Sequence, residues 1–156
     1  MALTYLFWGS ICVYLLFTLY FTTGLHRLRN NSTPKYLPRV SVVVAVRNEA
    51  STLQELLNNL VQQDYPKGKL DITIVSDRST DCTWNIIQDY AKLYPTVQGI
   101  KTENSDPQMT LKKRALTNGI EKTNSGVIIS TDGDCSVTAG WIRRMVGAFD
   151  DETGIV

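Results

Sequence analysis

From residue 40 onward the chain alternates short β-branched runs with longer segments whose apolar residues recur every three or four positions. Val40-Ser-Val-Val-Val-Ala-Val46 is almost continuously apolar, as a strand buried on both faces should be. Residues 51–63 follow with Leu53, Leu56, Leu57, Leu60 and Val61 on one helical face, and Thr52 and Glu55 spaced as a capping box. Asp64-Tyr-Pro-Lys-Gly68 breaks that helix. The same reading predicts strands over 70–76, 97–101 and 127–131, and helices over 80–94, 112–123 and 141–149, with a polar loop over 102–110. Strand starts near 40, 70, 97 and 127 are spaced by one βα unit without any matching sequence repeat. Alternation of this kind predicts an α/β fold with a mainly parallel sheet covered by helices.

The first 25 residues follow a different pattern. They carry no charged side chain, and the apolar run over 3–25 is long enough to cross a bilayer. Tyr5, Trp8 and Tyr20 suit interfacial positions. Basic residues come after the run, as His26, Arg27 and Arg29, and not before it as in a cleaved signal. The expectation is one uncleaved transmembrane anchor over 1–25, a juxtamembrane linker over 26–39 and a globular domain over 40–156. The positive flank places the domain on the cytoplasmic face of a cell membrane, as a single-pass protein.

Composition narrows the classes further. The 156 residues carry a formal net charge of +1, which excludes the strongly basic character of a nucleic-acid binder. Cys12, Cys82 and Cys135 have no metal-ligand spacing and form no disulfide framework. The single His26 excludes a multi-histidine metal site.

Candidate chemistry gathers where strands end. In a parallel sheet, the segments after the strands share one rim, the usual ligand side of open α/β sheets. Here those segments are Arg47-Asn48-Glu49, Asp77-Arg78-Ser79 and Asp132-Gly133-Asp134. Two carboxylates separated by one glycine suit Mg²⁺ or Mn²⁺, which take oxygen ligands and share them with phosphate. The duller reading of Asp132-Gly-Asp134 is a turn. Asp81 reads as a helix cap, Cys135 as a small buried residue and Trp141 as packing.

Five segments in order resemble the donor-binding half of family 2 glycosyltransferases, the inverting GT-A type. Val40 to Glu49 looks like the family's opening strand with its R-N-E ending, and Asp64-Tyr-Pro66 like the turn after the first helix. Ile74-Val-Ser-Asp-Arg-Ser-Thr-Asp81 is similar to V-D-D-x-S-T-D, and Lys112 to Ile120 to K-x-x-A-L-x-x-G-I. Ser130-Thr-Asp-Gly-Asp-Cys135 looks like T-D-A-D-C, the D-x-D motif. The resemblance implies a GT-A, Rossmann-like sheet and a nucleotide-sugar donor, UDP-linked, with Mn²⁺ or Mg²⁺ as cofactor. It implies that Ala45, Arg47, Glu49, Asp77, Lys113 and Asp132 lie at the donor and that Asp134, with Asp132, holds the metal. Asp77 would accept from the uracil imide N–H.

Departures from the family pattern are Ala45 at a frequent proline position, Ser76 in place of the first acid of D-D, and Gly133, which loosens the backbone between the acids. The catalytic base and acceptor motifs are expected beyond Val156, and Gly154-Ile-Val156 reads as the start of a further strand. The acceptor implied is a lipid-linked molecule or a saccharide, as in the synthesis of envelope polysaccharides or glycolipids. Two alternatives stand beside this reading. One is a non-catalytic, truncated nucleotide-binding fragment. The other is a haloacid-dehalogenase-type phosphatase built on the same D-x-D.

Overall fold

The computed structural model describes residues 1–29, 34, 36–102, 111–149 and 154–155. It forms two compact units, Met1–Thr33 and Pro34–Val156. The first is a single helix, α1 (Ala2–Arg29), which continues past the predicted anchor into the predicted linker. Its stretch Ala2–Gly24 is long and apolar enough to cross a membrane. Its 23 residues rise roughly 35 Å at the α-helical pitch, against a hydrocarbon core of roughly 30 Å. The hydroxyls of Ser10, Thr18, Thr22 and Thr23 donate to carbonyls three or four residues earlier, so these polar groups are satisfied inside the helix.

The second unit is a four-stranded sheet of β1 (Val40–Val46), β2 (Leu70–Asp77), β3 (Val97–Thr102) and β4 (Val127–Asp132). All pairings are parallel and the order is β3-β2-β1-β4. α2 (Leu53–Val61) joins β1 to β2, α3 (Thr83–Leu93) precedes β3, α4 (Leu111–Ile120) precedes β4, and α5 (Trp141–Gly147) follows it. The chain winds outward from β1 through β2 to β3, then returns to the other side of β1. Right-handed crossovers therefore place helices on opposite faces for the two directions.

Alternate residues of the strands serve the two faces. Val42, Val44, Ile72 and Ile74 pack with Leu53, Leu56, Leu57, Leu60 and Ile87 in the larger core. Val43 and Val75 face Ala115 of α4 in a smaller one. Gly119 lets α4 lie directly on the sheet, because a Cβ there would run into the side chains of Val43 and Val75. α5 is latched to the end of α2. The Gln63 amide donates to the carbonyls of Asn59 and Thr138, and its Oε1 accepts from the Ile142 amide. Arg143 pairs with Asp64. At the front of this unit, the Tyr65 hydroxyl donates to the Pro38 carbonyl, Lys69 to the Leu37 carbonyl and Arg39 to Asp71. Residues 37–39 are thereby tied to the sheet unit.

Four details differ from the sequence reading. Thr52 makes no side-chain cap on α2. The Thr52 and Leu53 amides are already satisfied by the Glu49 carbonyl, and the Thr52 hydroxyl turns back to the Glu49 carboxylate. The apolar run that opens β4, which by itself reads as a buried strand, is not interior: among the described residues β4 pairs with β1 alone, and within it only Ile129 is buried. Cys135 is exposed, because it follows that edge strand into a turn. Gly154 and Ile155 are not in a strand, while Val156 lies outside the described residues, as does most of the predicted 102–110 loop.

Candidate functional site

A cleft of about 320 Å³ opens at the C-terminal ends of the central strands. It sits where the strand order reverses, between β1 and β4, the point at which open parallel sheets leave room for a ligand. The end of β1 contributes Ala45, Val46, Arg47 and Glu49. β2 contributes Asp77, α4 contributes Lys112 and Ala115, and the end of β4 contributes Asp132, Gly133 and Asp134.

The floor is built from two interlocked loops. Asn48 and Arg78, the residues just past β1 and β2, both have positive φ, 56° and 53°. This region is unfavourable for ordinary side chains and is held here by neighbours. The Asn48 amide donates to the Ser79 hydroxyl, and Asn48 Oδ1 accepts from the Thr80 amide at 2.8 Å. The Glu49 amide donates to Thr83 Oγ1 and the Ala50 amide to Asp81 Oδ2. Asp81 also accepts from the Thr83 amide at the start of α3, one residue ahead of the cap position Cys82, and ties the loops together. The Thr83 hydrogen bond, opposed by burial and helped by the amides of Thr83 and Ala50, holds the Asp81 carboxyl below the usual range.

Two carboxylates on the rim meet cations from α4. Asp77 Oδ1 accepts from Arg114 Nη2 at 2.8 Å and from Thr102 Oγ1 at 2.9 Å, all of it buried. Burial alone would push this carboxyl up. The hydrogen bonds from Arg114 and Thr102, with the charges of Arg114 and Arg78, outweigh it and hold the group below the usual range. Asp132 Oδ1 accepts from Lys112 Nζ at 2.6 Å, in the open. That bond, opposed by burial and reinforced by the negative charge of Asp132 and Asp134, raises the Lys112 ammonium above its usual range.

Ala45, Arg47, Glu49, Asp77, Asp132 and Asp134 thus line one cleft. Lys113 is exposed and is not among the lining residues. It lies two residues from the sheet-facing Ala115, about 200° around the helix. Lys112, one residue earlier, lines the cleft instead. Gly133 does not adopt a positive φ. What it supplies is space: a Cβ there would approach Val46 Cγ1 to 2.7 Å and Glu49 Cγ to 3.3 Å. Among the described residues no three His, Cys, Asp or Glu side chains gather into a complete metal cage. Two exposed acids suit a hard cation that takes its remaining ligands from water and phosphate.

A parallel sheet of this order with its cleft at the switch point is a Rossmann-like arrangement, and the chain shares the GT-A fold of solved glycosyltransferases. The chain belongs to glycosyl transferase family 2, whose family description matches residues 41–156. It is 31% identical over 119 residues to glycosyltransferase AglE of Haloferax volcanii, covering 76% of this chain and 38% of that protein. It is also 31% identical over 155 residues to the beta-monoglucosyldiacylglycerol synthase of Nostoc sp., covering 93% of this chain and 32% of that protein. The chain therefore spans about a third of the length of these curated relatives. Among solved structures it resembles the mannosyltransferase PcManGT of Pyrobaculum calidifontis in complex with GDP-Man and Mn²⁺. The TM-score is 0.68 at 26% identity, over 86% of this chain and 40% of that one. Staphylococcus aureus TarS in complex with UDP shares the fold, with a TM-score of 0.58 at 23% identity, over 67% of this chain and 30% of that one.

Proposed function

We propose that the cleft holds the nucleoside diphosphate of an activated sugar, with UDP as the nucleotide, and that the whole protein transfers the sugar to an acceptor hydroxyl with inversion. The observation that carries this is the placement of Asp77 and Glu49 on the same cleft as the open pair Asp132 and Asp134. Asp77, ionised and fixed, accepts from the imide N–H of the base. Ala45, Arg47 and Glu49 line the nucleoside. Lys112, in place of the expected Lys113, faces the diphosphate with a cation that stays charged. Asp132 and Asp134 would hold Mn²⁺ or Mg²⁺, which when bound offsets the charge growing on the departing diphosphate. The Mn²⁺ and GDP-Man named for PcManGT support this class of ligand. None of these acids is assigned as the general base, since each already serves base, nucleoside or metal.

The acceptor is a lipid or saccharide hydroxyl. The glycolipid named for the Nostoc relative supports the lipid case, as does a helix able to anchor the protein at a membrane, with the cleft on the cytoplasmic side. The test is calorimetric titration of the detergent-solubilised chain with UDP, with and without Mn²⁺, beside Asp134→Asn. Binding that strengthens with Mn²⁺, and loses that gain in the variant, is expected. A wild-type chain folded by circular dichroism that binds no UDP would refute the assignment.

A further inference from the structure

We propose that Arg114 is the positioning residue for Asp77: it grips one carboxylate oxygen from behind and leaves the other to face the nucleotide base. The inference rests on the nucleotide reading above. Three donors converge on Oδ1: Arg114 Nη2 at 2.8 Å, Thr102 Oγ1 at 2.9 Å and, more distantly, Arg78 Nε at 3.5 Å. Among the described residues, Oδ2 is met only by Arg78 Nη2, also at 3.5 Å, beyond the usual hydrogen-bond range. The carboxylate is thus saturated on one side and has accepting capacity left on the other. Asp77 lines the cleft while Arg114 does not, so the guanidinium lies behind the acid.

Arg114 also carries a cost that packing does not explain. The residue is 5% exposed, and its Nε and Nη1 are buried without a partner among the described residues. A guanidinium with unmet buried donors opposes folding, and an apolar side chain of similar volume would be cheaper there. What the guanidinium gives in return is an acid that stays an acceptor. A protonated Asp77 would offer an O–H toward the base N–H, a donor facing a donor. Arg114 stands on the same turn of α4 as Lys112, so one helix end serves two acids of the cleft, Asp77 and Asp132.

The test compares UDP with its N3-methyl analogue, which has no imide proton, by calorimetry at pH 8 and pH 6. The proteins are wild type, Arg114→Gln, Arg114→Lys and Thr102→Val, each checked for folding by circular dichroism. Charged groups around Asp77 are Arg114 and Lys112 on α4, Arg78 beside it, and Arg47, Glu49, Asp132 and Asp134 on the cleft. Wild type should prefer UDP by about tenfold, the worth of a hydrogen bond to a charged group, at both pH values. Arg114→Gln should keep part of that preference at pH 8 and lose it at pH 6, its UDP binding weakening as burial pushes Asp77 toward the neutral form. Its affinity for the methylated analogue should stay unchanged. Arg114→Lys should restore a flat pH profile. A folded Arg114→Gln that keeps the preference and the flat profile overturns the inference. If Arg114→Gln does not fold, Thr102→Val decides: a narrowed preference supports the inference and an unchanged one overturns it. Wild type without affinity for UDP would overturn the nucleotide reading, and the inference with it.

Discussion

Asp77 and Asp132 make an instructive pair. Each ends a strand, each lines the cleft, and each meets a cation from the first turn of α4. The Asp77 and Arg114 side chains are 4% and 6% exposed, whereas Asp132 and Lys112 are 55% and 62% exposed. The buried pair has one arrangement and no solvent to replace a missing partner. The open pair sits in water, where an ion pair contributes little and either member can turn to a ligand. A rigid acid suits reading a base, and a mobile one suits closing around a cation and a phosphate.

Breaking the buried pair should have the largest effect. Arg114→Ala takes from the buried Asp77 carboxylate its closest compensating charge and should cost about 3–5 kcal/mol in urea denaturation of the solubilised chain. Adding Asp77→Leu should recover most of that loss, because the uncompensated charge is then gone. The same pair sets an acid limit. Asp77 is held below its unfolded value, so its contribution is complete above about pH 4 and is lost as pH falls through the depressed folded value. Asp81 shifts in the same direction and adds to that loss. Unfolding midpoints should therefore be insensitive to these two groups from pH 7 down to about 5 and drop below about 4. Next in size is Gly119→Ala. Lifting α4 off Val43 and Val75 should cost about 1–3 kcal/mol as overpacking. It should also weaken nucleotide binding, since both cations ride on that helix. Smallest on stability is Lys112→Ala, about 1 kcal/mol or less. Its effect should appear instead as weaker, less salt-sensitive UDP binding by titration.

The βα alternation, the apolar faces of α2 and α3 and the acids of the rim were legible in sequence, because each rests on local periodicity or on a residue placed just past a strand. The strand order was not. No local signal says that β4 returns beside β1, and without that the short apolar run Val127-Ile-Ile129 reads as interior. Lys112-Lys-Arg114 shows a second limit. Three consecutive cations look like a wet helix face. Only the position of α4 across β1 and β2 shows that the first reaches Asp132, the second points away and the third is buried against Asp77. Gln63 is simply the last residue of the predicted 51–63 helix, yet its side chain joins α2 to α5 over more than 70 positions of chain. Such contacts leave no pattern in the residues around them.

The interlocked loops beneath the cleft carry a consequence for the order of assembly. The Asn48, Glu49 and Ala50 amides all find their partners 31 to 34 residues later, on Ser79, Thr83 and Asp81. A nascent chain that has paired β1 with β2 therefore still has no finished rim, and contacts that span such a loop close late. Protection of the Ala50 amide, which lies ahead of α2, should then report the docking of the loop before α3 rather than the winding of a helix.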